Sequence, residues 1–438
     1  MDLLAARLTM AVSLGFHIIL ASIGMVMPFL MVASHWRWLK TGDEKARQLT
    51  RLWMRGVAVF FATGAVSGTA LSFELGLLWP EFMKHAGPII GMPFSLEGAA
   101  FFVEAIALGV YMYGWSRLSP WIHWGAGVVV GLAGVSSGVL VTAANGWMNS
   151  PTGFVWENGQ ATGIDPWAAM LNQAWATQSV HMTVAAFQAV GWMVAGVHFY
   201  GILRNRHVDF HRLGLRIALP FAAIASLAQP LVGHWAAQDV AVRQPLKLAA
   251  MEALFETQTQ APLLIGGIPD IENETVNFAI HIPGALSLLA FNDVDAPVQG
   301  LKAFPKENWP PVTVVHIAFQ VMVGIGTWLA LLGALSLVAM RRIPTWLGET
   351  RWGWLVVASA PLGFLAIEAG WVVTEVGRQP WIIYGIMKTA DAVTPVPGQI
   401  WHLVFFTGLY AVIGAATLWM WRMQVRLLDE RNLDEGDA

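Results

Sequence analysis

Long apolar runs separated by short polar stretches dominate this chain. A helix that crosses a bilayer needs about 20 consecutive apolar residues, and nine runs reach that length. Because a bilayer core offers the backbone no hydrogen-bonding partner, each run is predicted to be an α-helix. The fold class is therefore an all-α integral membrane protein, a polytopic bundle with a single membrane domain over residues 1–438. The runs cover residues 8–34, 54–78, 94–116, 121–142, 177–203, 214–236, 312–340, 353–374 and 400–421.

Composition and charge agree with this pattern and orient it. Of the 438 residues, 56% are hydrophobic and only 12% are charged, unlike a soluble domain. Most of the 25 Lys and Arg residues fall in segments that share one side with the C-terminus. The positive-inside rule then predicts the N-terminus outside and the C-terminus in the cytoplasm. The first run lacks a basic start and a small-residue cleavage site, so it is predicted to be a retained helix.

One long polar segment, residues 239–311, lies on the predicted outer side. It is rich in acids and prolines but also contains apolar residues that can pack. A loop of this length is usually functional or disordered. We predict a folded extracytoplasmic cap. No internal repeat is visible, so the inverted repeats of many transporters receive no support.

The chain contains no cysteine. This excludes an iron–sulfur cluster, a thiolate zinc site and a covalently attached c-type haem. Any metal must therefore be held by His, Met or carboxylate side chains. Such groups are costly inside a membrane unless they are paired, neutral or functional.

Three residues in the apolar runs are candidate metal ligands. His17 lies in the first run and His181 begins the fifth. Met322 lies in the seventh, where Gly324 and Gly326 are expected to leave room beside it for a flat macrocycle. The alternatives are a hydrogen bond from His17 to a neighbouring helix and a core-filling role for Met322. Axial His and Met ligands would give a six-coordinate, electron-transferring haem b.

Two acids on the third run suggest proton transfer. Glu97 and Glu104 are seven residues apart, about two helical turns, and therefore share one face. Ser136 and Ser137 lie at a depth comparable to Glu104 in the fourth run. Such a series of acids and hydroxyls suits proton movement, and hydrogen bonding between helices is the alternative.

The sequence GWVVTEVGRQPW at the end of the eighth run contains another buried acid, Glu375, followed by Arg378. Pro380 cannot continue the helix, so the run ends near a membrane boundary. Glu375 is a candidate metal ligand, and a helix-end ion pair with Arg378 is the alternative. Haem propionates favour cations and aromatic rings, for which the candidates are Arg378, Trp371 and Trp381.

Eight motifs in order resemble subunit I of the cytochrome bd-type quinol oxidases, and the resemblance covers nearly the whole chain. They are RLTMAVSLGFHIIL, FELGLLWPEF, SLEGAAFFVEA, AANGWMNSP, QPLKLAAMEALFET, GIPD, QVMVGIG and TEVGRQPW. The resemblance implies an electrogenic oxidase that oxidises membrane quinol outside, reduces O2 to water with cytoplasmic protons and generates a proton motive force. It also implies a bacterial or archaeal cytoplasmic membrane.

The same resemblance implies the cofactors and their ligands. His181 and Met322 match the axial ligands of a low-spin haem b. His17 and Glu375 match the ligands of two high-spin haems, one a haem b and the other a haem d or a further b-type haem, with Glu97 close to that pair. Which high-spin haem each ligand holds varies within the family.

The remaining matches concern protons and quinol. Glu104, Ser137 and Asn145 fall on or beside positions implicated in proton access. In the outer loop, Lys247 and Glu252 match the quinol-binding pair, and a carboxylate can accept a quinol proton. A solvated pair of charges five residues apart is the alternative reading from the residues alone.

Two departures from the family pattern are visible. Where well-known members carry Arg, two residues before the axial methionine, this chain has Gln320, so the low-spin haem would lack a nearby cation. The outer loop is the short form. Expected partners are membrane quinol, O2, a sister subunit II, small accessory subunits and lipid, but no nucleic acid.

Two other classes compete with the oxidase. A cofactor-free transporter or channel could use Glu97 and Glu104 as a proton relay, and a membrane cytochrome could merely pass electrons. The three classes differ in haem content, which a reduced-minus-oxidised absorption spectrum measures.

Overall fold

The computed structural model describes residues 1–157, 159–342 and 350–434. The domain predicted over residues 1–438 thus also includes residues 158, 343–349 and 435–438, which lie outside the described residues. The helices are α1 Asp2–Thr41, α2 Glu44–Leu78, α3 Pro80–Tyr113, α4 Pro120–Asn149, α5 Pro166–Met170, α6 Trp175–Leu203, α7 Val208–Arg243, α8 Pro245–Met251, α9 Ala285–Phe291, α10 Val312–Arg342, α11 Thr350–Ser359, α12 Leu362–Val376, α13 Thr389–Ala392 and α14 Ile400–Asp434.

The prediction of nine spanning helices is confirmed within the described part of the chain. Nine helical segments there are long and apolar enough to cross a membrane, and each overlaps one predicted run. Most are longer than the apolar run that predicted them, because polar turns at the ends continue the helix. The eighth segment, Trp352–Val376, combines α11 and α12, which are separated by a short turn before Leu362.

Local signals explain the tight turn between the first two spans. Gly42 ends α1 with a positive φ of 69° and donates its N–H to the Trp38 carbonyl. Asp43 then caps α2, accepting a hydrogen bond from the Lys45 N–H. A left-handed glycine followed by an acidic N-cap is a strong stop-and-start signal. The two helices therefore return antiparallel and pack along their length.

The spanning helices form two groups. Helices α1, α2, α3 and α4 pack on one another, and α6, α7, α10 and α12 form a second group in which α7 and α12 each contact both α6 and α10. Contacts of α6 with α1 and α4 join the groups, while α14 packs on α1 and α2. This arrangement places most candidate ligands at helix interfaces.

Residues 244–311 form a folded cap with short elements of its own. Helix α7 continues through Asp239, the predicted start of the loop, to Arg243, and these two side chains form an ion pair. The cap contains α8, α9 and two antiparallel two-stranded sheets. Its apolar residues pack against α10 and α12, so its position is set by the second helix group.

The strands of the chain are short. They are β1 Val155–Glu157, β2 Gln160–Thr162, β3 Leu263–Ile265, β4 Ile268–Asp270, β5 Thr275–Asn277, β6 Ile280–Ile282, β7 Trp381–Ile383 and β8 Met387–Lys388. Within the cap, β3 pairs with β6 and β4 with β5.

Candidate active site

Glu375 lies one residue before the end of α12, where two side chains donate hydrogen bonds to it. Asn145 of α4 donates its Nδ2 to one carboxylate oxygen, and Arg378 donates to the other. The predicted ion pair between Glu375 and Arg378 is therefore present. A carboxylate offers about four lone-pair positions, so two hydrogen bonds leave capacity for a metal.

A line of hydrogen bonds connects Glu375 to the cap. Asn149, one turn after Asn145 on α4, donates its Nδ2 to the Asn145 Oδ1 at 3.0 Å. The Lys247 ammonium of α8 donates to the Asn149 Oδ1 at 2.6 Å. Lys247, Asn149, Asn145 and Glu375 thus form a continuous chain from the cap to the end of α12. The structure brings together three residues to which sequence reasoning assigned three different roles: Lys247 in quinol binding, Asn145 in proton access and Glu375 as a haem ligand.

Lys247 is almost fully buried, with 4% of its surface exposed. Burial, reinforced by the nearby Arg378 cation, holds the pKa of the Lys247 ammonium well below its usual range. A lysine in such a site exchanges its proton more readily than a surface lysine.

Glu252, at the end of α8, is 3% exposed. Burial raises the pKa of its carboxyl to about 8, partly opposed by a hydrogen bond from the Leu264 backbone. Its Oε2 is buried and has no hydrogen-bond partner. Among the described residues no ion pair joins Glu252 to Lys247, so the solvated pair considered from sequence is wrong: both groups are buried and each has its own surroundings.

His17 faces the second helix from α1. Its Nδ1 lies 2.9 Å from the Ser67 Oγ of α2, and a Cβ at Gly68 would come within 3.0 Å of the imidazole Cε1. The ring is therefore fixed by one hydrogen bond and by the close approach of a glycine, while no residue in the described part of the chain hydrogen-bonds to Nε2. A ligand imidazole whose other nitrogen is hydrogen-bonded is the usual arrangement at a metal.

His181 and Met322 face the interior of the second helix group. The imidazole of His181 on α6 contacts the Gln229 amide of α7 at 3.3 Å, and Gly233 of α7 leaves space beside it. A Cβ at Gly370 of α12 would lie 3.0 Å from the Met322 sulfur of α10. Their helices share α7 and α12 as neighbours.

Gly324 and Gly326 lie beside open space, since a Cβ added at either would meet no atom within 4 Å. The expectation that they leave room for a macrocycle beside Met322 stays a prediction. The glycine that accommodates the Met322 sulfur is Gly370, on another helix.

The two acids of α3 occupy different surroundings. Glu104 is 7% exposed, and its carboxyl lies beside Gly134 of α4, a glycine that also approaches the backbone of Met25 of α1. Glu97 lies two turns earlier on the same face and is half-buried. Ser137 is one turn from Gly134 on α4, also half-buried. Ser136, the other predicted member of the series, is exposed and donates to the Leu132 carbonyl of its own helix, so it does not join Glu104 in this interface.

The two candidate aromatic residues lie apart. Trp371 packs with Ile18 and Ile367, next to the segment of α1 that carries His17. Trp381 begins β7, and the Lys388 ammonium lies 5.6 Å from its ring centroid. Of the two tryptophans, Trp371 therefore packs next to the α1 segment that carries the candidate ligand His17. Trp381 instead follows Arg378, after the end of α12.

Sequence reasoning missed three polar residues at these interfaces. Asn149 connects the cap to Asn145, and its position four residues after Asn145 in AANGWMNSP was the available signal. Glu74 of α2 is fully buried and accepts hydrogen bonds from Ser13 at 2.7 Å and Tyr410 at 3.1 Å. Glu368 precedes Glu375 by two turns; its Oε1 is buried without a partner. An acid inside an apolar run is a signal in both cases.

The donor set fits haem rather than a bare metal ion. Among the described residues, no three His, Cys, Asp or Glu side chains cluster to hold a metal, whereas a haem iron needs only one or two protein ligands. Arg378 is 2% exposed, and its buried Nε and Nη1 lack hydrogen-bond partners. Unsatisfied buried guanidinium nitrogens suit an anionic group such as a haem propionate.

Comparisons with known proteins agree over nearly the full length. The family model for cytochrome bd terminal oxidase subunit I matches residues 5–428. A Bacillus subtilis (strain 168) protein, provisionally named cytochrome bd menaquinol oxidase subunit I, is 39% identical over 429 residues, covering 96% of this chain and 95% of that protein. The cytochrome bd-II ubiquinol oxidase subunit 1 of Escherichia coli (strain K12) is 26% identical over 496 residues, covering 96% of each. The solved bd oxidase from Geobacillus thermodenitrificans superposes with a TM-score of 0.92 at 37% identity, covering 97% of this chain and 98% of that one.

The fold defines a multi-pass membrane protein of a respiratory oxidase. The chain belongs to the cytochrome bd terminal oxidase subunit I family. Its class is that of an O2-reducing quinol oxidase, with quinol and O2 as substrates and haem as the cofactor type. The resemblance drawn from the eight motifs is confirmed.

Proposed function

We propose that this chain is the haem-bearing subunit of an electrogenic quinol oxidase that oxidises quinol at the outer face and reduces O2 with cytoplasmic protons. Two quinols release four electrons and four protons outside. One O2 takes up four electrons and four protons from the cytoplasm and becomes two waters. One charge therefore crosses per electron, which stores about 2.3 kcal/mol per 100 mV of membrane potential. The product is a proton motive force.

The observation that best supports this proposal is the line of hydrogen bonds from Lys247 to Glu375. It joins the cap, which the family resemblance assigns to quinol, directly to a candidate haem ligand. A transporter has no need for such a link between a surface cap and an intramembrane acid. The link is also short, since only Asn149 and Asn145 lie between its ends.

At the quinol end, Glu252 would accept a hydroxyl proton. A base whose pKa lies near the working pH is well suited to this transfer, and burial raises the pKa of Glu252 to about 8. Its unpaired Oε2 is available to a quinol hydroxyl. Lys247 would donate a hydrogen bond to the second quinol oxygen while Asn149 holds its ammonium in place.

Four side chains would hold the haems. His181 and Met322 would be the axial ligands of a low-spin haem b; His17 and Glu375 would each hold one high-spin haem, a haem b and a haem d or further b-type haem. Bound haem would supply the one-electron chemistry that connects quinol to O2. Arg378 would neutralise a propionate, with Trp371 and Trp381 packing nearby.

Protons for oxygen reduction would move along the interface of α1, α3 and α4. Glu104 is buried deepest, and Glu97 follows it on the same face of α3 towards the end that carries the cap. Ser137 and Asn145 extend the polar groups along α4 in the same direction, and Asn145 reaches Glu375. Glu104, Glu97 and Ser137 would pass the proton through their oxygens, directly or through water, and Asn145 would orient the end of this path through its hydrogen bond to Glu375.

The same proposal names the partners and the membrane. A sister subunit II would complete the proton path, and small accessory subunits would join the complex in a bacterial or archaeal cytoplasmic membrane. Large apolar side chains such as Phe102, Ile106 and Trp401 are exposed on the spanning helices. Lipid or a partner subunit would cover them.

A reduced-minus-oxidised absorption spectrum, combined with quinol-driven O2 uptake, tests the proposal. We expect both low-spin and high-spin haem bands and O2 uptake with quinol as donor. A protein without haem bands would be a transporter. A single low-spin b signal without O2 uptake would indicate an electron relay.

A further inference from the structure

A ring of hydrogen bonds joins the end of α8, strand β3 and the first half of α10. The Leu264 backbone bonds to the Glu252 carboxyl, and the Leu264 carbonyl accepts from the Gln320 amide at 3.0 Å. The Gln320 carbonyl in turn accepts the Gly266 N–H at 2.9 Å. Glu252 is thereby tied to α10 through a single residue of β3.

His316, one helical turn before Gln320, closes the ring. Its Nε2 lies 3.2 Å from the Gly266 carbonyl, and its Nδ1 lies 2.8 Å from the carbonyl of Met251, the residue before Glu252. The imidazole is fully buried. Both partners are backbone carbonyl oxygens, and a neutral imidazole has one N–H, so it donates to one of them at a time, with the shorter distance to Met251. Either bond ties the backbone of the cap to α10.

One edge of β3 has no strand partner among the described residues, and the hydrogen bonds of the ring satisfy it. In the sheet β3 pairs only with β6, which leaves the other edge open. The N–H and C=O of one strand residue point to the same edge, and those of Leu264 bond to Glu252 and Gln320. At Gly266 the chain turns with φ of 68°, and the two α10 side chains hold this turn.

The functional group that this ring of hydrogen bonds positions is the Glu252 carboxyl. Among the described residues, the Leu264 backbone alone hydrogen-bonds to the Glu252 carboxyl, whose Oε2 is buried without a partner. The place of the carboxyl therefore depends on where β3 lies. Because Gln320 is two residues before Met322, the same ring sets this acid relative to the helix that carries a proposed haem ligand.

We propose that His316 and Gln320 are positioning residues: they hold the Glu252 carboxyl at a fixed position relative to α10 for quinol oxidation. The proposal rests on the function proposed above for Glu252. It also explains the departure at position 320: glutamine both donates and accepts hydrogen bonds, whereas arginine only donates. An arginine at 320 would keep the bond to the Leu264 carbonyl but lose the one from the Gly266 N–H.

The first test is hydrogen exchange on the purified, intact oxidase, which reads the ring without turnover. In Gln320→Leu, a peptide covering residues 261–267 should exchange about tenfold faster than in the parent at its Gly266 and Leu264 amides. Gln320→Arg should release Gly266 more than Leu264. Gln299→Leu is the matched control, because Gln299 is exposed in the same cap. Unchanged exchange in both Gln320 variants would overturn the ring.

The second test separates positioning from a general loosening of the cap. Gln320→Leu and His316→Phe should lower kcat with quinol about tenfold, with KM for quinol within about twofold and O2 uptake from an artificial haem reductant unchanged. Faster exchange with normal kcat, or a rise in KM alone, would overturn the positioning role.

A separate variant tests the underlying function of Glu252. Full quinol-driven turnover in Glu252→Gln would refute the role of Glu252, while the hydrogen-exchange result for the Gln320 variants would still stand.

Discussion

The Lys247 ammonium donates a 2.6 Å hydrogen bond to Asn149, a residue 98 positions earlier in the chain. Through Asn145, this contact continues to Glu375 at the end of α12. A buried cation in the cap is therefore held by the same helix that holds a proposed haem ligand.

Asn149→Ala should impair quinol oxidation. The change leaves the buried Lys247 ammonium without its acceptor, a loss of about 1–3 kcal/mol of local stability. We expect quinol-driven O2 uptake to fall at least about tenfold, while an artificial reductant still drives uptake. Asn273→Ala is the control, since Asn273 bonds only within an exposed turn of the cap. Equal losses with both electron donors would instead place the defect at the haems.

Quinol-driven activity should rise with pH towards about pH 8. Burial raises the pKa of Glu252 to about 8, so below that pH the carboxyl already carries a proton and cannot accept another. The deprotonated fraction grows about tenfold per pH unit well below the pKa. We expect kcat/KM for quinol to follow this curve. A Glu252→Gln variant with the same pH profile would show that another group accepts the proton.

The raised pKa of Glu252 should also make the folded protein less stable as the pH rises. The folded protein binds the Glu252 proton more tightly than the unfolded chain does. This contribution to stability is fully present below the unfolded pKa and is lost as pH rises through about 8. Glu252→Gln should therefore flatten the dependence of the apparent Tm on pH between about 5 and 8. A parallel Tm profile would contradict the assignment.

His181→Ala and Met322→Ala should each remove the low-spin haem signal. Only this pair is proposed to supply two axial ligands to one iron, and loss of either leaves an open position. The reduced-minus-oxidised spectrum of each variant should lose the low-spin band and largely keep the high-spin bands. Met340→Ala, on the same helix, is the control for α10. An unchanged low-spin spectrum in both ligand variants would exclude the assignment.

His17→Ala and Glu375→Ala should each perturb the oxygen-reactive haems. Each change would remove the one protein bond proposed for a high-spin iron, so haem content and O2 uptake should both fall. Glu375→Ala should also release Arg378 and Asn145, which donate to its carboxylate. Normal O2 uptake in either variant would rule out that residue as a required ligand.

Glu104→Gln should slow turnover while leaving haem reduction by quinol intact. The substitution keeps the shape of the side chain facing Gly134 and removes its capacity to carry a proton as an acid. Stopped-flow haem reduction should match the parent, whereas steady-state O2 consumption and proton uptake should fall. Glu81→Gln is the control, because Glu81 lies on the same helix with a partly exposed side chain that pairs with the exposed Lys84. Parental turnover in Glu104→Gln would move the obligatory relay to another residue or subunit.

The sequence by itself determined the helices and the class of protein. Nine apolar runs of spanning length leave the backbone no alternative to helix in a bilayer, and all nine are present in the described residues. The absence of cysteine restricted the metal ligands to His, Met and carboxylate. Eight ordered motifs identified the family, which the comparisons confirm.

Only the tertiary structure decided which side chains meet. Asn145 and Glu375 are 230 positions apart, and periodicity within one helix says nothing about which neighbour it faces. For the same reason only the structure shows that Gly370 of α12 lies beside the Met322 sulfur. The acids Glu74 and Glu368 stand out in the sequence as charges inside apolar runs, and only their surroundings depended on the fold. Helix formation depends on local hydrogen bonds and hydropathy, whereas the site depends on packing between segments far apart in the chain, and that packing exists only in the folded protein.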